Sequence, residues 1–337
     1  MKRFKHTAIA LSLVLLGIFA AGAAFAAYPD KNISGIIAWG AGGGTDNASR
    51  ALTPIAEKLF GGKVILQNKP GAAGALATTT VANMPADGYT LLYNAEGPAI
   101  YKVLGLGKYD YDDFEPICLM LYGIDVIAVH PSTPYKTLED LLKAAKEKPK
   151  TIKLATTGTG GIPFVLASMF KSMKGAEFNM VGFDGDGSGI TALLGGHVDA
   201  MPISMMGAGT VDLIKTGKLR ALAIIHDKRV SQLPNVPAIT EIYPEFKKKL
   251  PIGHYYGVFV KKGTPQPVVD TLRKAYMTAV KDPQFTDFIK RVNAIPLALT
   301  GEEAKKFIRK NQANVSWVLE DAGVTKVSPE KLGIPRP

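Results

Sequence analysis

Two doubly wound α/β domains facing each other across a ligand cleft are what this sequence predicts. Strand and helix patterns alternate along nearly the whole chain, as in folds whose sheets are covered by helices on both faces. Two glycine-rich strand-to-helix turns, at 40–44 and 157–161, lie far apart in sequence, which suggests one per domain. The 337 residues, less an N-terminal leader, suit two domains of ordinary size. Such repeated units predict parallel sheets, and ligands of such sheets bind outside the carboxyl ends of the strands.

The leader is read from the first 26 residues. Lys2, Arg3 and Lys5 form a basic start, Ala8 to Ala20 is apolar, and Ala24-Phe25-Ala26 supplies a small-x-small cleavage site. The apolar stretch is shorter than the roughly 20 residues of a spanning helix, and no cysteine follows it to carry a lipid. The expectation is an exported, soluble chain: a signal peptide over 1–26, one domain from 27–130 plus 253–337, and a second over 131–252.

The elements follow in order. Ile33 to Trp39 reads as a buried strand, and a helix runs from near Asp46 to Phe60 with Leu52, Ile55 and Leu59 on one face. Thr45 or Asp46 is expected to cap this helix, and Pro54 to kink or shorten it. Val64 to Gln67, Tyr89 to Tyr93 and Ile124 to Val129 are further strands, and Ala75 to Ala82 is a short helix. Thr137 and Asp140 have capping-box spacing before the stripe Leu138, Leu141, Leu142 and Ala145. Strands are then expected over Ile152 to Thr156, Phe178 to Phe183, Val198 to Ile203, Leu219 to Ile225 and Tyr255 to Val260. Helices fall near Ser188 to Leu194, Thr210 to Thr216 and Thr264 to Lys281, and a second capping box, Thr300 with Glu303, opens the last helix.

The glycine turns carry the chemistry. In Gly40-Ala41-Gly42-Gly43-Gly44-Thr45-Asp46 the glycines let backbone approach a ligand, and amides at a helix start attract an anion. The turn is neither a dinucleotide fingerprint nor a Walker loop, because Thr45 replaces the third glycine and no Gly-Lys-Ser/Thr follows. Thr157-Gly158-Thr159-Gly160-Gly161 repeats the device. Each turn by itself is equally a tight βα connection that holds nothing. Trp39, at the mouth of the first turn, suits stacking on a ligand or a place in the core. A third glycine-rich segment, Phe183 to Gly189, carries Asp184 and Asp186 but lacks the calcium-loop series and its glutamate.

Other classes find little support. No G-x-S-x-G elbow occurs, and the five histidines show no zinc spacing. No catalytic residue, metal or cofactor is therefore expected. The net charge of +11 is spread thinly apart from Lys247-Lys248-Lys249, which with the export signal argues against nucleic acid. The lone Cys118, in an apolar run, reads as a small buried hydrophobe.

Short motifs running in order over most of the chain then carry a resemblance. They include Gly43-Gly44-Thr45-Asp46 with Arg50, Asn68-Lys69-Pro70-Gly71-Ala72-Ala73-Gly74, Pro85-Ala86-Asp87-Gly88-Tyr89-Thr90-Leu91, Leu194-Gly195-Gly196-His197-Val198-Asp199 and Leu233-Pro234-Asn235-Val236-Pro237. The chain resembles the periplasmic solute receptors of tripartite tricarboxylate transporters, the TctC or Bug family. That resemblance implies a periplasmic-binding-protein-like fold, with two α/β domains joined by crossing strands and closing like a pincer. It implies a monomer that holds a small carboxylate with backbone amides and hydroxyls of Gly42 to Asp46 and of Thr157 to Gly161, and passes it to membrane permease subunits. Asn94 and Glu96 join the candidate contacts, and Asp184 or Glu96 would serve an amine-bearing ligand.

The second domain departs from the family pattern. Phe164 stands where a histidine is usual, Phe183-Asp184-Gly185 replaces a tyrosine before Lys-Gly, and Ile203 followed by Ser204 replaces an aspartate. Polar groups give way to apolar ones, so a ligand less polar at its far end than citrate is expected, an aromatic or monocarboxylic acid. Two other readings stay open: a receptor that presents its ligand to a sensor kinase, and an envelope hydrolase.

Overall fold

The computed structural model describes residues 28–207 and 209–337, so the leader expected over 1–26 lies outside the described residues. In chain order the strands are β1 (Ile33–Ile37), β2 (Val64–Asn68), β3 (Thr90–Asn94), β4 (Phe114–Tyr122), β5 (Asp125–Val129), β6 (Lys153–Thr156), β7 (Asn179–Gly182), β8 (Ala200–Ser204), β9 (Arg220–Ile225), β10 (Tyr255–Lys261) and β11 (Ile295–Leu299). The helices are α1 (Gly44–Phe60), α2 (Ala75–Ala82), α3 (Tyr101–Leu104), α4 (Leu138–Glu147), α5 (Ile162–Lys174), α6 (Asp186–Leu194), α7 (Thr210–Lys215), α8 (Ile239–Ile242), α9 (Gln266–Ala279), α10 (Pro283–Arg291) and α11 (Gly301–Asp321).

The strands form two sheets, ordered β11-β4-β10-β3-β1-β2 and β7-β6-β8-β5-β9. Each is the centre of one domain. Both are mixed, where the repeated strand–helix units had predicted parallel sheets. The pairs β1 with β2 and β3, and β6 with β7 and β8, are parallel. The strands next to the interdomain passages run the other way: β10 pairs antiparallel with β3 and β4, and β5 with β8 and β9. Such a strand enters its sheet from the neighbouring domain, so no crossover helix constrains its direction.

The first passage is shorter and earlier than expected. β4 ends at Tyr122 in the first sheet and β5 begins at Asp125 in the second, so residues 125–129 belong with the second sheet and not with the first domain. The return passage enters β10 after Gly253 and His254. The two passages touch, Gly123 N–H donating to the His254 carbonyl at 2.7 Å. After Asp125, β5 is apolar because both faces are covered: Ile127 and Val129 face the core shared with α4 and α5, while Val126 and Ala128 face the core that holds Met201 and Ile203.

Helix α1 buries Ala48, Leu52, Ile55 and Ala56, whereas Leu59 is half exposed. Pro54 neither stops nor shortens it, because Pro54 and Arg50 lie on the solvent face, where the carbonyl left without a donor meets water. The Thr137–Asp140 capping box forms. The one expected at Thr300 does not: its hydroxyl donates to the Ile117 carbonyl at 2.8 Å, tying α11 to β4. Cys118 is fully buried on β4, and burial pushes its thiol up to about 12. β4, α10 and β11 lack a clear sequence signal; β4 is covered on both faces and shows no alternation.

Helix α11 spans both domains. Ala304 and Ile308 pack in the first core and Val315, Val318 and Leu319 in the second. Leu319→Ala is expected to cost about 2–5 kcal/mol, the usual range for a buried leucine, and urea unfolding followed by circular dichroism checks it.

Candidate functional site

The first glycine turn is held by its own side chains. Asp46 sits inside the first turn of α1 and caps nothing beyond it; its Oδ2 accepts the Gly42 N–H at 3.0 Å, and its Oδ1 accepts Arg50 Nε at 2.8 Å and Asn68 Nδ2 at 2.9 Å. The helix N-cap is Gly43. A side chain at Gly44 would collide with Tyr256, since a Cβ there would lie 2.3 Å from the phenol oxygen. Trp39 is pinned by its indole N–H to Asn94 Oδ1 at 3.0 Å, and Asn94 Nδ2 donates to Thr78 at 3.0 Å. Asn94 therefore orients the tryptophan.

The second turn links β6 to α5. Gly158 and Gly160 adopt φ of +82° and +110°, which side chains resist, so the sharp reversal requires glycine there. Within the third glycine segment Gly185 is the N-cap and Asp186 the first residue of α6.

The two domains meet across this cluster of turns. Gly40 N–H donates to the Asp184 carbonyl at 3.0 Å, and Asn47 Nδ2 to the Met206 carbonyl at 2.8 Å. Between them lies a cavity of about 280 Å³, walled by Trp39, the loop Gly71–Gly74, Leu106, the stretch Thr157–Thr159 and the stretch Gly182–Asp184. A second, inner cavity of about 20 Å³ shares Trp39 and Thr157 with it and is closed by Gly43, Gly44, Thr45, Gly185, Asp186, His254 and Tyr256.

Ionisable groups crowd the inner end. His254 Nδ1 lies 3.2 Å from Glu96 Oε2, and its Nε2 lies 3.2 Å from Asp125 Oδ1. The first contact is a hydrogen bond; the second is an ion pair without hydrogen-bond alignment. All three side chains are at least nine-tenths buried. Burial opposes the imidazolium, but Tyr256, Asp125 and Glu96 outweigh it and hold its pKa well above the ordinary value. Tyr256 stacks beside the ring at 5.8 Å and bonds Ser204 across the domains at 3.1 Å. Burial raises the Asp186 carboxyl to about 6; His254 and the Gly44 N–H oppose this, while Asp125 and Glu96 add to it.

The expected residues divide three ways. Trp39, Gly43, Gly44, Thr45, Thr157, Gly158, Thr159, Phe183, Asp184 and Gly185 line a cavity. Gly42, Asp46, Asn94, Glu96, Gly160, Gly161 and Ser204 stand behind the walls and shape or charge them. Phe164 and Ile203 are core residues that line neither cavity. The apolar far end inferred from Phe164, Phe183 and Ile203 is thus corrected: only Phe183 reaches a wall, and the inner end carries carboxylates. His254, Tyr256, Asp125 and the site role of Asp186 were missed. The signal available was the acid in the otherwise apolar β5 and the extra acid after Gly185.

Known proteins match this chain and its fold. A model of the tripartite tricarboxylate transporter family receptor matches residues 48–324. Protein BugT of Bordetella pertussis is 30% identical over 329 residues, spanning 92% of this chain and 97% of its own. The solved periplasmic binding protein BugD aligns with a TM-score of 0.82 at 29% identity, covering 88% of this chain and 99% of its own. MatC from Rhodopseudomonas palustris, solved with bound malate, has the same fold, with a TM-score of 0.78 at 24% identity over 88% of this chain and 100% of its own.

Two outcomes follow from the site's packing and charge. Gly44→Ala should push Tyr256 off Ser204 and cost about 1–3 kcal/mol, as overpacking does; thermal unfolding measures it. Asp186 holds its proton more tightly folded than unfolded, so ionising it costs stability: nothing below about pH 4, and the full amount above about pH 6. Asp186→Asn removes that cost, so the variant should match the wild type at pH 4 and exceed it by up to about 3 kcal/mol at pH 7.5 in urea melts.

Proposed function

The chain belongs to the tripartite tricarboxylate transporter receptor family, and from this premise we propose that it is a periplasmic receptor that closes on a small organic carboxylate and delivers it to membrane permease subunits. The observation that carries the reading is the cavity of about 280 Å³ between the two domains, walled largely by glycine-bearing loops. Its loops, Gly71–Gly74 and Thr157–Thr159, lead into α2 and α5, whose N-terminal ends bear partial positive charge that favours a carboxylate. The first turn is less available to an anion, since its Gly42 and Gly44 N–H groups already face Asp46 and Asp186. Solute binding shifts the balance between open and closed domains towards the closed form, and closure around the anion strengthens its charge-assisted hydrogen bonds. The family is one of receptors, which fits a site built for capture and release.

The test is a thermal-shift screen of the purified protein against aliphatic, aromatic and amino-substituted carboxylates. A solute at a hundred times its Kd should stabilise the fold by about 2.7 kcal/mol, and at least one member should give a shift that saturates. A flat response across the whole panel overturns the carboxylate reading.

A further inference from the structure

The inner cavity has a chemistry that a carboxylate alone does not satisfy. Its volume, about 20 Å³, admits one small polar group. Two of its walls present acceptors with no donor: Asp186 Oδ1 and Thr157 Oγ1 are buried and unpartnered. Behind them Glu96 Oε1 and Asp125 Oδ2 are also without donors. Buried acceptors of this kind are costly unless something supplies hydrogen.

Charge points the same way. Glu96 and Asp125 flank the His254 ring and Asp186 lines the same cavity, so three carboxyl groups gather round one imidazole. Beside so many carboxyl groups a second anion would be repelled and a cation drawn in. Asp186 also lines the cavity beside Gly43 and Gly44, so a carboxylate of the chain itself stands at the start of α1, where a ligand anion would otherwise sit.

We propose that the inner cavity is an ammonium subsite, and that the solute is a zwitterion whose carboxylate occupies the larger cavity and whose ammonium lies against Asp186 and Thr157. Trp39 and Thr157 line both cavities, so the two lie side by side within the span of one small molecule. An ammonium has three donors, enough for Asp186 Oδ1, Thr157 Oγ1 and one more neighbour. This rests on the carboxylate-receptor reading and narrows it to amino acids and their relatives.

Isothermal titration of the purified protein with matched pairs tests it: glutamate against glutarate, aspartate against succinate, phenylalanine against 3-phenylpropionate, and the remaining common amino acids against their des-amino acids. At least one amino acid should bind roughly tenfold or more tightly than its partner, the scale of a charge-assisted hydrogen bond. Asp186→Asn should abolish that preference while the des-amino acid keeps or gains affinity. Thr157→Val, which keeps the shape and removes one acceptor, should weaken the preference and serves if the first variant folds poorly. Des-amino acids that bind as well as or better than every amino acid overturn the ammonium subsite and leave the carboxylate receptor standing. No binding by either series overturns both.

Discussion

His254 stands where the chain returns from one domain to the other, with Glu96 of the first domain on one ring nitrogen and Asp125 of the second on the other. Everything that defines the cleft is arranged round that meeting. The His254 carbonyl receives Gly123 N–H, so the outward and return passages are tied at the same point. Tyr256, two residues on, stacks on the ring and reaches Ser204 across the domains. A charge so deeply buried persists only with partners, and removing one partner of such a pair is commonly worth about 3–5 kcal/mol. The pairing therefore specifies how the domains meet at the floor of the cleft.

Much of the architecture was legible because its signals are local. Glycine turns, capping-box spacing at Thr137 and Asp140, and helix periodicity all act within a few residues, and the two-domain α/β fold follows from them. What escaped depends on distant segments. Glu96 and His254 are 158 residues apart and meet only because β10 inserts beside β3. The antiparallel direction of β10 and β5 has no local sequence cause. Phe164 and Ile203 were placed in the site by their position relative to a pattern, and burial, which such a comparison does not contain, puts them in the core.

The acids in the glycine turns show how one loop can serve opposite charges. Asp46 spends both oxygens on Gly42, Arg50 and Asn68 and so fixes the loop's shape. Asp186 comes from the other domain and meets the same loop only when the domains are together. The positive end of α1 is thereby answered by protein, and the polarity of the inner wall is set by a residue that the first domain does not contain.

The direct contacts across the mouth have a consequence for resting behaviour. Gly40 to Asp184 and Asn47 to Met206 are single hydrogen bonds, each worth about 0.5–1.5 kcal/mol net. With the Tyr256–Ser204 bond deeper in the cleft, they are among the contacts that any parting of the two domains would have to break. None of these bonds is strong by itself, and every donor and acceptor at the mouth can exchange its partner for water.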